Sequence, residues 1–347
     1  MTNTLSMNGL NMNVKYDFAI IGAGVIGICV ARKLKRTYPE AKIVIIEKES
    51  DGGLHASTRN SGVLHAGFYY SPSSLKAKFT KEGNLSLTNY CNEKKLKINN
   101  CGKLVVARND AELETLDTLL ERGHKNAIDL KKVTEYEAFH IEPNAKTHKF
   151  ALFSPTTSVV NPSEVIASLK NDAINEGVHF LFNTAFLHHK ADHIETTQGR
   201  VYTNYVINAA GLYADKIAKE YGFSKNYRIL PFKGLYLYSR SPKQKLRTHI
   251  YPVPDLKYPF LGVHFTLTVD GKTKIGPTAI PALWREQYNF HENFKIGELF
   301  EVALRQAGLF ISSDFNFKQM ALTEIQKYSK SKLINLASEL VQPMSKH

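Results

Sequence analysis

Cysteine is scarce. Only Cys29, Cys91 and Cys101 occur, an odd number with no CxxC spacing and no Cys/His pairing. Neither a disulfide framework nor a structural zinc site is expected, and a reducing cytoplasm is the default compartment. GxSxG, HExxH and P-loop patterns are absent, which leaves hydrolase, zincin and P-loop chemistry without support. No apolar run approaches the length of a membrane-spanning helix. The polar stretch 1–14, rich in Asn and Met, lacks the apolar segment of a signal peptide and is expected to be an unstructured leader. Net charge is +13, yet the lysines (Lys94, Lys97, Lys131, Lys243 among them) are dispersed and do not alternate with aromatics in one block. That spacing argues against nucleic-acid binding. It leaves three readings open: a solvated basic surface, attraction of an anionic substrate, or peripheral attachment to the inner face of a membrane.

What is present begins with Tyr16–Ile21, a buried-strand pattern that runs straight into Gly22-Ala-Gly-Val-Ile-Gly27 and a helical spacing from Ile28 to Thr37. Gly22 permits the turn, Gly24 lets the backbone approach a pyrophosphate, and Gly27 allows close packing of helix on strand. The helix N-terminus offers N–H groups to phosphates. A second strand over Lys42–Ile46 ends in Glu47, about 20 residues past the last glycine, where a carboxylate accepts ribose hydroxyls and repels a 2′-phosphate. FAD or NAD is therefore favoured over NADP. A second strand, small-residue turn and helix follows at Tyr205–Asn208, Ala209–Gly211 and Leu212–Tyr221, and such small residues suit close approach to a cofactor.

Between these lies the loop His55–Tyr70, dense in Gly, Ser, Asn, His and Arg and short of aliphatics. It cannot be a core segment, and it reads as a loop facing something bound or as a plain surface loop. Helices are expected over Ser74–Asn92, with Leu75, Phe79, Leu87 and Tyr90 on the apolar side, over Ala111–Gly123, and from Asn161-Pro162 to Asn175. Short strands are expected over Lys103–Ala107 and Lys149–Phe153. From Arg228 the chain turns strand-rich and aromatic, and residues 293–341 return to helices.

The two glycine-bearing stretches, at 22–27 and 208–211, and the loop Arg59–Tyr70 resemble the D-amino-acid oxidase superfamily of FAD-dependent oxidoreductases. Within it the chain is most similar to the L-2-hydroxyglutarate oxidase or dehydrogenase group, through Pro231–Gly234, Tyr251–Thr266 and Ile275–Ala279 followed by Arg285, Glu286 and Tyr288. The resemblance covers nearly the whole chain after Val14. It implies an α/β fold: a Rossmann-like dinucleotide-binding FAD domain over 15–80 and 150–225, with a second mixed-sheet substrate domain over 81–149 and 226–335. Two departures stand out. Lys233 and Leu235 occupy positions where the family commonly has Arg and Glu. The family also continues past the position of Gln342 with a glycine-rich segment that contacts the flavin, so weak FAD retention is expected of this chain.

The implied activity is oxidation of a small 2-hydroxy acid, L-2-hydroxyglutarate, with FAD as cofactor and oxygen or a quinone as the electron acceptor. Alternatives are a catalytically impaired relative, an amino-acid-oxidase-like enzyme, and a NAD-dependent dehydrogenase, against which the second small-residue turn argues. Such an oxidation needs a base for the hydroxyl proton and a cation for the carboxylate. His65 is the candidate base, with a backbone-bonded loop histidine as the alternative; His264 is a weaker candidate. Arg285 is the candidate carboxylate anchor, with an ion pair to a neighbouring acid as the alternative. Tyr251, like Tyr69 and Tyr70, is a candidate hydrogen-bond donor to substrate or a packed aromatic. The expected cofactor-binding set is Gly22, Gly24, Val25, Gly27, Glu47, Ser61, Gly62, Phe186, Ala210 and Gly211. No metal ligands are expected.

Overall fold

In the computed structural model, the strand Lys15–Ile21 pairs in parallel on both sides, with Ile43–Ile46 and with Gly199–Asn208. Residues 14–239, 246–256, 262–312 and 317–342 are described. The expected leader up to residue 13 and the Lys257–Leu261 part of the long motif lie outside them. The chain divides into two units. One comprises residues up to Asn60 and Pro162–Ile229; the other comprises Ser61–Asn161 and the chain from Leu230 onward.

The first unit holds a six-stranded sheet in the order 186–189, 193–196, 199–208, 15–21, 43–46, 179–181. Its four strands from 199–208 to 179–181 are mutually parallel, and the other two are added antiparallel. Ile43–Ile46 is buried at every position, as a β-branched run covered on both faces should be. The helix Val25–Thr37 packs on Pro162–Asn175, and Arg32 lies between them, 8% exposed. Its guanidinium donates to Asp172 and Glu176, both at 2.9 Å.

The second unit is built on a seven-stranded sheet in the order 237–238, 273–276, 264–267, 249–252, 103–106, 150–154, 131–134. All pairs are antiparallel except 249–252 against 103–106. Strand alternation splits the strand Lys103–Val106 between two cores. Leu104 and Val106 join Ile250, Phe265, Leu333 and Ala337; Val105 joins Tyr251, Leu152, Leu116 and Leu119. A three-stranded antiparallel sheet, 63–64, 158–160, 98–99, takes in part of the loop His55–Tyr70. Among the described residues no helix is long and apolar enough to cross a membrane.

Several expectations change. Residues 61–80 and 150–161 belong to the second unit, because Val63–Leu64 is hydrogen-bonded to Ser158–Val160 and Phe150–Ser154 lies inside the seven-stranded sheet. In the helix Leu75–Glu93, Leu75 and Phe79 are exposed, and the buried residues are Ala77 and Cys91. Tyr205, expected in a buried strand, is exposed on Gly199–Asn208. The helix expected from Leu212 begins as a 3-10 turn, Gly211–Tyr213, and is α-helical only over Ala214–Glu220.

The Arg32 bridge gives a measurable expectation for the first unit. Arg32→Met removes the guanidinium from Asp172, while Glu176 keeps Arg36. Loss of charged hydrogen bonds of this kind costs about 2 kcal/mol. A urea melt of the variant should show a lower midpoint at unchanged slope, and an unchanged midpoint would make the bridge energetically idle.

Candidate functional site

The glycine turn of the first unit is held by one carboxylate. The Ala23 N–H donates to Glu47 Oε2 at 2.8 Å, and the Glu49 N–H donates to Glu47 Oε1 at 2.9 Å. Glu47 is thus a buried tie between the second strand and the turn, 7% exposed rather than set at an open strand end. A carboxylate offers about four lone-pair positions, so two bonds leave capacity for ribose hydroxyls. Gly22 has φ +107°, and a Cβ there would stand 2.5 Å from Ala209 O. A Cβ on Gly27 would stand 1.9 Å from Gly22 O. Both glycines are therefore obligatory for this turn. Gly24 caps the helix without a side chain, and the Val25 N–H donates to Ser57 Oγ at 2.9 Å. The second turn lies beside the first, since the Ala209 N–H donates to Ile21 O at 2.9 Å. Gly211, at φ +53°, faces open space.

Three expected cofactor residues lie outside the two glycine turns of the chain. Phe186 is on the outermost strand of the sheet, where its ring stacks on Tyr221 at 6.4 Å. Its side chain packs in the apolar cluster that also holds Ile21, Ala210 and Tyr221. Ser61 and Gly62 belong to the second unit. There Ser61 O accepts from Lys274 Nζ at 3.0 Å, and Gly62 O accepts from the Val160 N–H at 2.9 Å.

The second unit gathers His65, Lys103, His249, Tyr251 and His264. Tyr251 is 1% exposed. Its ring stacks on His264 at 3.7 Å and meets His65 edge-on at 6.2 Å. The His264 Nδ1 lies 2.9 Å from Gly262 O, which places its proton on Nδ1. His249 accepts from the Leu267 N–H at Nδ1, 3.0 Å, so its proton is on Nε2, toward Cys101 Sγ at 3.4 Å. Burial pushes both imidazoles down to about 3. The His65 ring is partly exposed, but its Nδ1 is sealed from solvent and has no hydrogen-bond partner. Burial first, and the Lys103 charge next, hold His65 well below its ordinary 6.5. Burial also raises the phenols of Tyr69 and Tyr251 above their ordinary 10.0, keeping both as hydrogen-bond donors.

Arg285 is in the same unit, but it is engaged. Its side chain is fully buried, its Nη2 lies 3.2 Å from Glu301, and its N–H donates to Glu298 at 3.0 Å. Arg305 holds the same Glu301 carboxylate at 2.6 Å. The geometry is that of the alternative reading, an ion pair with a nearby acid. A guanidinium already balanced in this way is a poor anchor for a substrate carboxylate.

Lys103 was overlooked in the sequence because it opens an ordinary strand pattern. Its ammonium is buried and without a hydrogen-bond partner. It lies 4.6, 4.5 and 4.9 Å from the ring centres of Phe68, Tyr69 and Tyr251. Burial lowers it from 10.5 to about 7. The legible signal is alternation: Lys103 shares a face with Val105, where a core residue belongs.

A model of the family described as FAD dependent oxidoreductase matches residues 17–308. The chain belongs to that family. Among its relatives, this family member is 38% identical over 296 residues to the mitochondrial L-2-hydroxyglutarate dehydrogenase of Nematostella vectensis, covering 79% of this chain and 64% of that protein. It is 36% identical over 293 residues to the L-2-hydroxyglutarate dehydrogenase of Escherichia coli (strain K12), covering 83% of this chain and 69% of that one. A solved structure, the dithionite-reduced L-alpha-glycerophosphate oxidase of Mycoplasma pneumoniae with FAD bound, is similar at TM-score 0.68 and 25% identity, over 84% of this chain and 78% of that chain. The chain thus spans roughly two thirds of the length of these curated relatives, 64% and 69%. FAD is the cofactor of the family. The glycine turn, its crowding against Ala209 and the Glu47 tie fit the adenosine and pyrophosphate half of that molecule.

Two outcomes follow for these groups. Glu47→Gln removes the charge from two backbone bonds, so ADP affinity read by calorimetry should fall by roughly tenfold or more, about 1.4 kcal/mol, with a lower melting temperature. Unaltered ADP affinity would exclude Glu47 from the nucleotide site. For His249 and His264 the folded pKa, about 3, lies below the ordinary 6.5. The folded state binds fewer protons between those values, so their stabilisation is complete above 6.5 and drains as pH falls toward 3. His249→Gln should flatten the fall of melting temperature across that window, and a slope equal to wild type would show that other groups govern acid unfolding.

Proposed function

We propose that this chain is an FAD-dependent oxidoreductase acting on the CH–OH group of a small 2-hydroxy acid, L-2-hydroxyglutarate, and yielding 2-oxoglutarate. The observation that carries the chemistry is His65 Nδ1, a nitrogen shielded from water, without a partner, on a ring held edge-on by Tyr251. The choice of substrate is supported by similarity to L-2-hydroxyglutarate dehydrogenases at 36–38% identity.

Oxidation of a secondary alcohol removes a proton from oxygen and a hydride from carbon. When bound, FAD supplies the two-electron acceptor for the hydride. The chain must supply the base. His65 is kept neutral by burial and by the Lys103 charge, so in the tautomer with its proton on Nε2 the Nδ1 lone pair is available for the hydroxyl proton at neutral pH. Its poor solvation keeps water from competing for that lone pair. Tyr251, held protonated, serves as a donor and as the rigid face that orients His65. In the first unit the Glu47 tie and the two glycine turns would hold the dinucleotide.

The test uses the full chain supplied with FAD under anaerobic conditions. L-2-hydroxyglutarate should bleach the visible flavin absorption, while its D enantiomer and glycine should not. His65→Ala should slow bleaching by roughly 10²-fold or more at unchanged ADP binding. Bleaching by an amino acid in preference to the hydroxy acid would replace this reading with an amino-acid oxidase. Wild-type rates in His65→Ala would remove His65 from the mechanism.

A further inference from the structure

A lysine at 0% exposure with no acceptor for its ammonium is costly to the fold. Lys103 stands at the start of a strand whose next same-face residue, Val105, lies in an apolar core. An aliphatic side chain there would serve packing better. The three aromatic faces at 4.5–4.9 Å recover part of the cost through cation–π attraction, but they do not explain why a cation is placed there. The arrangement around it does. Tyr251 lies directly across from Val105 in the parallel pairing, and His249 lies across from Lys103 itself. The Tyr251 ring that caps the ammonium also meets the His65 ring edge-on and stacks on His264. The charge is thus set one aromatic ring away from the imidazole that has a sealed, unpartnered nitrogen.

We propose that Lys103 is a positioning residue for His65: its buried ammonium, held on the face of Tyr251 that the imidazole meets edge-on, adds a positive charge to the poor solvation of the site and so opposes a second cation there. The purpose assigned to His65 rests on the function proposed above; the electrostatic coupling does not. The titratable groups bearing on His65 are Lys103, His264 and His249. The two histidines are neutral over the physiological range. Tyr69 and Tyr251 are held uncharged, and Lys274, a further cation, acts on His249 and His264. Lys103 is therefore the charge that opposes protonation of His65. It carries that charge in the acid range in which an exposed histidine would gain its proton. A second proton placed beside it would set two cations in a poorly solvated space.

The experiment is a pH titration of the full chain labelled with 15N-histidine, following the ring nitrogens by NMR. The His65 signal is identified by its loss in His65→Gln. In Lys103→Met the His65 midpoint should rise by about one pH unit, a roughly tenfold change in its proton affinity. In Lys103→Arg, which keeps the charge, it should stay low. Lys103→Met should also melt at or above the wild-type temperature, because an unpaired buried charge has been removed. Lys103→Gln provides the same uncharged comparison if the methionine variant does not fold. An unchanged His65 midpoint in a folded, uncharged variant, or an equal rise in Lys103→Arg, would overturn the proposal. Neither FAD nor substrate enters the titration, so failure of L-2-hydroxyglutarate to reduce the flavin leaves this coupling standing, and loss of the coupling leaves the activity open.

Discussion

The first unit depends on the bond from the Ala23 N–H to the Glu47 carboxylate. A strand that ends in three closely spaced glycines has little to fix its backbone, because glycine loses more conformational freedom on folding than any other residue. Here the freedom is removed from two directions. Gly27 brings the helix so close to Gly22 O that no side chain fits, and Glu47 reaches across from the neighbouring strand to hold the middle of the turn. Sheet, turn and helix become a single rigid corner. The second small-residue turn is then registered against it by the Ala209 bond to Ile21.

The second unit follows a different logic. Its strand Lys103–Val106 is buried on both faces, yet one face carries polar groups in unusual number: Lys103, His249, Tyr251 and His264 within two paired strands and their neighbour. Burial of ionisable groups is paid for in stability and is retained where their altered proton affinities do something. Two of these histidines complete backbone hydrogen bonds, and their tautomers are fixed by those bonds. His65 is different, since its Nδ1 has none.

The dinucleotide unit was legible because each of its demands falls on a specific residue type: glycine where a Cβ clashes, an acid at the strand end, β-branched residues where both faces are covered. The loop Arg59–Tyr70 was legible as functional but not as part of a sheet, because Val63–Leu64 finds its partner nearly a hundred residues later, at Ser158–Val160. Periodicity misled for the helix Leu75–Glu93, whose Leu75 and Phe79 face outward; a weakly amphipathic helix leaves its buried side undetermined. Arg285 and Phe186 were placed by residue type and family position alone, and only the structure shows the partners that occupy them, Glu301 and Tyr221. Lys103 was hidden for the opposite reason: a single charge in a short apolar strand looks like an edge, and its burial depends on aromatic residues contributed from 68, 69 and 251.

The parallel pairing of Lys15–Ile21 with Gly199–Asn208 also has a temporal side. The two strands are separated by roughly 190 residues, all of which must be made before the pair can form. At ~5–20 residues per second on the ribosome, the glycine-turn strand waits roughly 10–40 s for that partner. Meanwhile one edge of an apolar strand is open to other chains. Synthesis of the Ser61–Asn161 segment takes up rather more than half of that interval. The insertion that supplies part of the second unit thus also lengthens the period during which that strand edge is open.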